Sequence, residues 1–385
     1  MTSENSGVEL DQKTDVLIVG GGTAGHVLPG VAIGQELVRR GANADAIHFV
    51  GSERGVEQTL VPAAGFPLTL LPGRGIQRKL TTDNIGASLG LLRAFVTSFS
   101  LLREHQPDVV VALGGYASVP AGLWAVLLRV PVVVAEQNAV PGLANTIIGK
   151  FARACAVSYE GTELPRPVWT GNPVRPEILG VADGAVSREE AREALGVGFD
   201  KTLVVVFGGS LGARTINNAV VGALLELADR DDIEIRHIIG KRDFADVTTR
   251  ARDVAAGTEP GSGLTYTPIE YENDMASVYA ACDLVVCRAG ATSCAELAVT
   301  GTPAVLIPLP GAPGDHQTAN ARALERPGGA EVIADAEFDA RRFVDTVSRL
   351  LEEPETLKSM AEAAKSVGRP DAASAVVDVV EEHRS

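Results

Sequence analysis

The sequence predicts an α/β protein of two domains whose parallel sheets face a central cleft. Three observations carry that expectation. Short continuous apolar runs alternate with amphipathic stretches, glycine is frequent at 41 of 385 residues, and a strand, glycine-rich turn and helix signal opens each half of the chain. At roughly 100 to 200 residues per domain, the length suits two domains. Hydrophobic residues at 45% and charged residues at 22% supply both a core and a polar surface, which excludes disordered and collagen-like classes. Aromatic residues make up only 4%, so the packing expected is Val, Ala and Leu between closely approaching backbones.

A strand buried on both faces reads as an unbroken apolar run. In the first half such runs are Asp15 to Val19, Ala46 to Val50, Val109 to Leu113, Val130 to Ala135 and Ala154 to Ser158. In the second they include Thr202 to Phe207, Glu234 to Ile239, Leu284 to Cys287 and Ala304 to Ile307. Helices are expected from Ser187 onward, over Ala213 to Leu227, over Arg341 to Glu352 and, after the Arg369-Pro370 break, over Ala372 to His383. Ile85, Leu89, Leu92, Val96 and Phe99 share one 3.6-residue face, predicted to be the buried face of a further helix. Strands alternating with helices imply βαβ units with right-handed crossovers.

The two halves echo each other. LIVGGGTAGH (Leu17 to His26) lies over VVVFGGSLGA (Val204 to Ala213), pairing Gly21 with Gly208, Gly22 with Gly209 and Gly25 with Gly212. Two Rossmann-like domains follow, 14–173 and 174–370, divided where Gly171-Asn172-Pro173 gives turn residues. The last segment, 371–385, is a helix that could dock back on the first domain. A ligand belongs in the cleft, at the carboxyl ends of both sheets.

The formal net charge of -15 argues against binding nucleic acid, which needs a basic surface. Residues 1–172 hold 13 Lys/Arg and 14 Asp/Glu, and the rest hold 21 and 35, so the second half carries the acidic excess and the halves are expected to meet different partners. The polar, acidic first fifteen residues lack the basic start and apolar middle of a signal peptide and read as a loose tail. Leu123 to Ala135, the most apolar window, is interrupted by Arg129 and Pro131 and is too short to span a bilayer. Cys155, Cys282, Cys287 and Cys294 lack the paired spacing of a zinc site and are expected to be small buried hydrophobes.

Gly20-x-Gly22-x-x-Gly25 satisfies a dinucleotide fingerprint, and a nicotinamide or flavin enzyme is one reading of that loop; a purely structural turn is another. Against the first, the acid expected at the end of the second strand is absent, Val50 being followed by Gly51-Ser52. His26 falls in the first helical turn beyond this loop, where the helix dipole favours a neutral imidazole able to accept a proton; capping or packing the turn is the plainer role. Gly115-Tyr116 and Glu136-Gln137-Asn138 follow two further strands on the same rim, as a sugar or diphosphate site requires, although ordinary helix caps look alike. In the second half Gly208 to Gly212 and Arg288 to Thr292 offer amides and hydroxyls to phosphate. Glu296, in the helix after the latter, could reach a ribose diol or be a solvated surface acid. Asp229-Arg230-Asp231, formally a DxD, reads as surface charge.

Together GGTAGH, GSERGVE, LGGYASVP, EQNAVPGLAN, GNPVR, GGSLGA, NDM, CRAGATSCAEL and DHQTANA, in this order from about Val16 to Asn320, resemble the MurG family of peptidoglycan glycosyltransferases. The resemblance implies a GT-B fold and an inverting transfer of N-acetylglucosamine from UDP-N-acetylglucosamine to undecaprenyl-linked lipid I, giving lipid II. No cofactor and no metal are implied, UDP-N-acetylglucosamine being a substrate. Carried over position by position, the resemblance implies donor contacts at Asn138, Arg175, Ser210, Met275, Ala291, Glu296, Gln317 and Asn320, with Thr23 and Gly25 from the first loop. It places acceptor contacts at Thr23, His26, Gly115 and Tyr116. His26 is the first candidate base and Glu136 the second. His316 and Leu211 stand where the family commonly has glutamine.

A lipid-linked acceptor implies a peripheral enzyme on the cytoplasmic face of the cell membrane, meeting an anionic lipid surface and cell-wall synthesis or division proteins. Arg74, Ile76, Arg78, Lys79 and Leu80, with Leu91 and Phe95 beside the helix's expected core face, form the mixed basic and apolar patch suited to that surface, a widened core face being the other reading of Leu91 and Phe95. A UDP-N-acetylglucosamine 2-epimerase on the same fold, or a non-catalytic nucleotide-sugar binding protein, would share the donor site and lack a lipid acceptor.

Overall fold

The structure, a computed structural model, describes residues 15–53, 55–72, 83–209, 211–255 and 263–385. Among them two sheets form, parallel at every pairing. The first holds β1 (Val16–Gly20), β2 (Ile47–Ser52), β3 (Leu68–Leu71), β4 (Val109–Gly114), β5 (Val132–Glu136), β6 (Ala154–Val157) and β7 (Pro167–Trp169) in the order β3-β2-β1-β4-β5-β6-β7. The second holds β8 (Thr202–Phe207), β9 (Ile233–Ile238), β10 (Thr265–Ile269), β11 (Leu284–Cys287), β12 (Ala304–Leu306) and β13 (Ala330–Val332) in the order β10-β9-β8-β11-β12-β13.

Helices of the first lobe are α1 (Ala24–Arg39), α2 (Glu57–Ala63), α3 (Asp83–His105), α4 (Ser118–Leu127) and α5 (Leu143–Gly149). The second has α6 (Pro176–Ala182), α7 (Arg188–Leu195), α8 (Arg214–Ala223), α9 (Phe244–Ala255), α10 (Met275–Ala281), α11 (Ala291–Thr300), α12 (His316–Glu325), α13 (Ala340–Glu352) and α14 (Pro354–Val367), and α15 (Ala372–His383) follows.

Both faces of each sheet are covered, which is why the central strands read as unbroken apolar runs. In β1, Val16 and Ile18 join one core layer and Leu17 and Val19 the opposite one. In β8, Leu203 and Val205 take one side and Val204 and Val206 the other, so the sequence echo is a structural one. The four strands that the apolar runs did not mark, β3, β7, β10 and β13, are the edges of the two sheets. Edge strands are only partly covered and keep polar or proline residues such as Thr69, Pro167, Thr267 and Glu331, so no unbroken run announces them.

The chain passes between lobes twice, near 170–175 and 368–371. Val174 and Ile178 already belong to the second lobe's core, whereas Val376, Val377, Val379 and Val380 of α15 complete the first lobe's. Arg40 of α1 fastens α15 through Asp378 (2.6 Å), Glu381 (2.8 Å) and the Ser374 carbonyl (2.9 Å).

One predicted face is rotated. Along α3, among the side chains described, the buried residues are Ala94, Ser98, Leu101 and Leu102, while Leu92 and Val96, expected in the core, are 63% and 61% exposed. Leu91 and Phe95, expected to reach lipid, are half-buried instead. Apolar residues surround most of this helix, which lies against α4 with Phe99 on Trp124, and small residues such as Ala94 and Ser98 hold part of the buried stripe, so a periodicity drawn from the large residues picks the wrong one. Arg74, Ile76, Arg78, Lys79 and Leu80 lie outside the described residues, as do the side chains of Ile85 and Leu89.

Candidate active site

The strand order reverses direction between β1 and β4 in one sheet and between β8 and β11 in the other, and each reversal brings two loops side by side. In the first lobe the loop after β1 meets the loop after β4. The Gly21 amide donates to the Gly114 carbonyl (3.3 Å), and Ser118 Oγ accepts from the Gly114 amide (2.9 Å) and donates to the Val19 carbonyl (2.8 Å). Gly115 has φ +80°, and a Cβ there would collide with the Gly21 carbonyl, so this crossing demands glycine. Tyr116 donates its hydroxyl to the Pro72 carbonyl (2.9 Å) and so ties this rim to the segment after β3.

The Gly22 amide, which a dinucleotide's diphosphate would use, already donates to the buried carboxylate of Glu57 (3.0 Å to Oε2, 3.2 Å to Oε1). Glu57 carries no sequence signal beyond closing the segment GSERGVE, and its partner is 35 residues away.

Thr23 is the N-cap residue of α1, yet its hydroxyl makes no cap; it lies 3.0 Å from His26 Nδ1, with Gly25 between them in the helix's first turn. Burial is the main cause holding the His26 imidazole below its ordinary pKa of 6.5; Glu136 and Glu57 pull upward, and His316 from the second lobe pulls down. Burial therefore adds to the dipole expected from the sequence, and both favour the neutral imidazole.

Glu136, at the end of β5, is 3% exposed and already surrounded by donors. Oε1 accepts from the Asn138 amide (2.9 Å) and side chain (3.2 Å), and Oε2 from the Gly142 amide (3.0 Å) and Asn145 Nδ2 (2.9 Å). Four donors occupy the acceptor positions that a base would need, so this carboxylate fastens the loop 138–142. That loop meets α12. Asn320, 0% exposed, accepts from the Ala139 amide (2.9 Å) and donates to Asn138 Oδ1 (3.2 Å) and the Ala289 carbonyl (3.3 Å). Asn320 thus clasps the lobes together, a role that its expected sugar contact did not anticipate, and Asn138 is its partner across the cleft.

In the second lobe α11 starts at Ala291 with no side-chain cap, and Thr292 Oγ1 and Arg175 Nε are buried with no partner among the described residues. An uncapped helix N-terminus beside unmatched donors is suited to an anion. Glu296, 4% exposed, is no surface acid: it holds Arg175 (3.0 Å) and accepts from the Tyr279 hydroxyl (3.0 Å). Burial raises its pKa, with Arg175 opposing.

Met275 opens α10 behind Asp274, whose Oδ1 accepts from the Ser277 amide (3.0 Å). Glu272, the polar residue preceding this stretch, is paired with Arg236 (2.7 Å). Gln317 accepts from the Leu309 amide (2.9 Å), while Ser210 lies outside the described residues. Arg230 of the DxD pairs with Asp232 (2.8 Å). All four cysteines are buried thiols.

Behind the second glycine loop lies a buried network that the sequence did not suggest. Asn217 Nδ2 donates to the Ile239 carbonyl (3.2 Å), and its Oδ1 is 3.1 Å from His237 Nε2, whose Nδ1 is 2.9 Å from the Tyr266 hydroxyl. A neutral imidazole satisfies both contacts, and burial drops the His237 pKa from 6.5 to about 3. Below pH 6.5 the unfolded chain binds a proton that the folded one refuses, so this contribution is constant above 6.5 and declines as pH falls towards 3. The expected loss is about 2 kcal/mol by pH 5. Urea unfolding at pH 5 and pH 7.5 checks it: His237→Gln should lose less stability on acidification than the parent chain does.

Two family models match: the glycosyltransferase family 28 N-terminal domain over residues 16–157 and the glycosyltransferase family 28 C-terminal domain over residues 203–376. A Myxococcus xanthus protein named UDP-N-acetylglucosamine--N-acetylmuramyl-(pentapeptide) pyrophosphoryl-undecaprenol N-acetylglucosamine transferase is 40% identical, over 94% of this chain and 91% of its own. A Caldanaerobacter subterraneus protein of the same name is 37% identical, over 94% and 98%. The crystal structure of Acinetobacter baumannii MurG superposes with a TM-score of 0.73 at 28% identity, covering 96% and 99%. The chain belongs to the MurG family. Membership makes it a glycosyltransferase of the GT-B fold. The UDP-GlcNAc 2-epimerase from Neisseria meningitidis, at a TM-score of 0.66 and 12% identity over 96% and 100%, shares the fold alone.

Proposed function

We propose that the chain moves N-acetylglucosamine from UDP-N-acetylglucosamine to the 4-hydroxyl of the muramoyl-pentapeptide sugar of lipid I, giving lipid II. The observation that carries this reading is the likeness, across both lobes, to relatives named for that transfer. The second lobe takes the donor: uracil near Met275, ribose at Glu296, and diphosphate between Arg175, Ser210 and the first turn of α11 at Ala291. Gln317 and Asn138 lie on either side of the donor sugar. Charge growing on the leaving UDP is met by helix amides and Arg175, and the reaction as written calls for no metal.

The first lobe takes the acceptor between the loops of Thr23 and Gly115-Tyr116. With Nδ1–H donating to Thr23 Oγ1, His26 Nε2 is the proton acceptor. The acceptor oxygen bonds to the anomeric carbon from the face opposite UDP, its proton passes to Nε2, and the anomeric carbon–oxygen bond breaks with its electron pair leaving on UDP. Inversion follows from this in-line geometry. Glu136 and Asn320 contribute by setting the loop and the lobe spacing.

No helix among the described residues is long and apolar enough to cross a membrane. A lipid acceptor then requires peripheral docking, for which the exposed Leu92, Arg93 and Val96 of α3 take the place of Leu91 and Phe95. Leu92→Glu with Val96→Glu should reduce flotation with anionic liposomes while transfer to a short-chain soluble acceptor persists. Function itself is tested by incubating labelled UDP-N-acetylglucosamine with a lipid I analogue. Label moving to the lipid supports the assignment, and free sugar released with no labelled lipid overturns it.

A further inference from the structure

We infer that Glu57 is a positioning residue for the transfer, a buried anion that fixes the first glycine loop and, through Thr23, the direction of the His26 imidazole. Glu57 is 1% exposed and opens α2, from which its carboxylate reaches across to two separate loops. It accepts from the Gly22 amide with both oxygens (3.0 and 3.2 Å) and from the Ser52 amide at the end of β2 (2.5 Å). The cradle is shaped to the group: a Cβ at Gly21 would stand 2.8 Å from Oε1, and one at Gly51 or Gly55 would overlap the same side chain. Gly21 and Gly55 from two loops and Gly51 from the end of β2 therefore leave room for one carboxylate, at the reversal point where the acceptor is expected.

The connection to chemistry is short. Gly22 precedes Thr23, and Thr23 Oγ1 lies 3.0 Å from His26 Nδ1. A loop pinned at Gly22 holds that hydroxyl, and with it the direction of the ring, in place; the base role calls for the hydroxyl to accept from Nδ1–H, which leaves the lone pair on Nε2. Titratable groups facing the imidazole are Glu57 from α2, Glu136 from β5 and His316 from α12. Glu136 is saturated by its own loop, so Glu57 is the acid whose contacts lead along the backbone to His26. A carboxylate is also the required chemistry: an amide in its place would set an N–H against the Gly22 or Ser52 N–H, leaving buried donors unmatched.

This inference rests on the reading of His26 as the base, and the experiment separates the two. Glu57→Gln and Thr23→Val, singly and together, are assayed for transfer with saturating acceptor analogue, and the imidazole nitrogens of the full-length enzyme's histidines are followed by NMR across pH. Expected for Glu57→Gln are a kcat lower by about 10- to 100-fold, a donor KM within about twofold, and His26 resonances moved towards a mixed tautomer with a lower pKa. Thr23→Val should move the same resonances, and the double variant should lose less than the product of the single losses. His26 resonances unchanged in the variants, or losses that multiply independently, overturn the inference. Should Glu57→Gln fail to fold, Thr23→Val still decides, since unchanged His26 resonances there break the chain of contacts. Normal turnover in His26→Ala would remove the base assignment alone, because the imidazole signals are read without turnover.

Discussion

Replacing His26 by alanine lowers kcat by about 100- to 10,000-fold, the range by which a positioned base contributes, while the donor's KM stays within about twofold. In the proposed arrangement the uracil, ribose and diphosphate contacts sit on the opposite lobe, so binding of UDP is not the quantity expected to change. Isothermal titration with UDP together with steady-state transfer measures both halves of this expectation. The pH profile adds a second check. Burial keeps the His26 imidazole below its ordinary 6.5, which favours the proton-accepting form at neutral pH. The acid limb of kcat/KM in the parent enzyme is expected below pH 6.5 and should be absent from the residual activity of His26→Ala. Near-normal turnover with intact acceptor binding would take the base role from this residue.

The second large effect is on Glu296. Its carboxylate is 4% exposed and joins Arg175 to Tyr279, so Glu296→Ala leaves a guanidinium half-enclosed without its anion and a buried hydroxyl without its acceptor. Breaking a buried pair in this way costs about 3 kcal/mol or more, and the same change removes the group assigned to the ribose. Chemical denaturation should show the stability loss, and the donor KM should rise with it. Glu296→Gln is the informative companion: it keeps an acceptor for Tyr279 and removes the charge, so a donor KM restored towards normal would place hydrogen bonding above charge at this position. Unchanged donor KM in both variants would move the ribose elsewhere.

Central strands were legible because burial on both faces leaves a mark that needs no partner to be read. β8 and β11 run over the residues their apolar runs predicted, whereas edge strands such as β7, with Pro167 and an exposed Trp169, carry no such mark. Helix faces were less legible. On α3 the buried stripe includes the small residues Ala94 and Ser98, which a pattern drawn from the large ones passes over, landing instead on the exposed Leu92 and Val96. Glycine turns and helix starts were readable for the same reason as the strands, since the turn at Gly115 and the start of α11 at Ala291 owe their place to local backbone geometry.

By itself, then, the sequence determined the two lobes, the glycine loops at the ends of β1 and β8, and the rim on which His26, Glu136 and Asn138 stand. Glu136 as a loop anchor, Asn320 as a clasp between lobes, Arg175 paired with Glu296, and Glu57 beneath Gly22 were decided by the tertiary structure. Backbone propensity and burial are properties of neighbouring residues, while a side chain's hydrogen-bond partner depends on which distant loops the sheet order sets side by side. A carboxylate looks the same in a sequence whether its acceptor positions are open to a substrate hydroxyl or already filled by four amide donors, and only the second case describes Glu136.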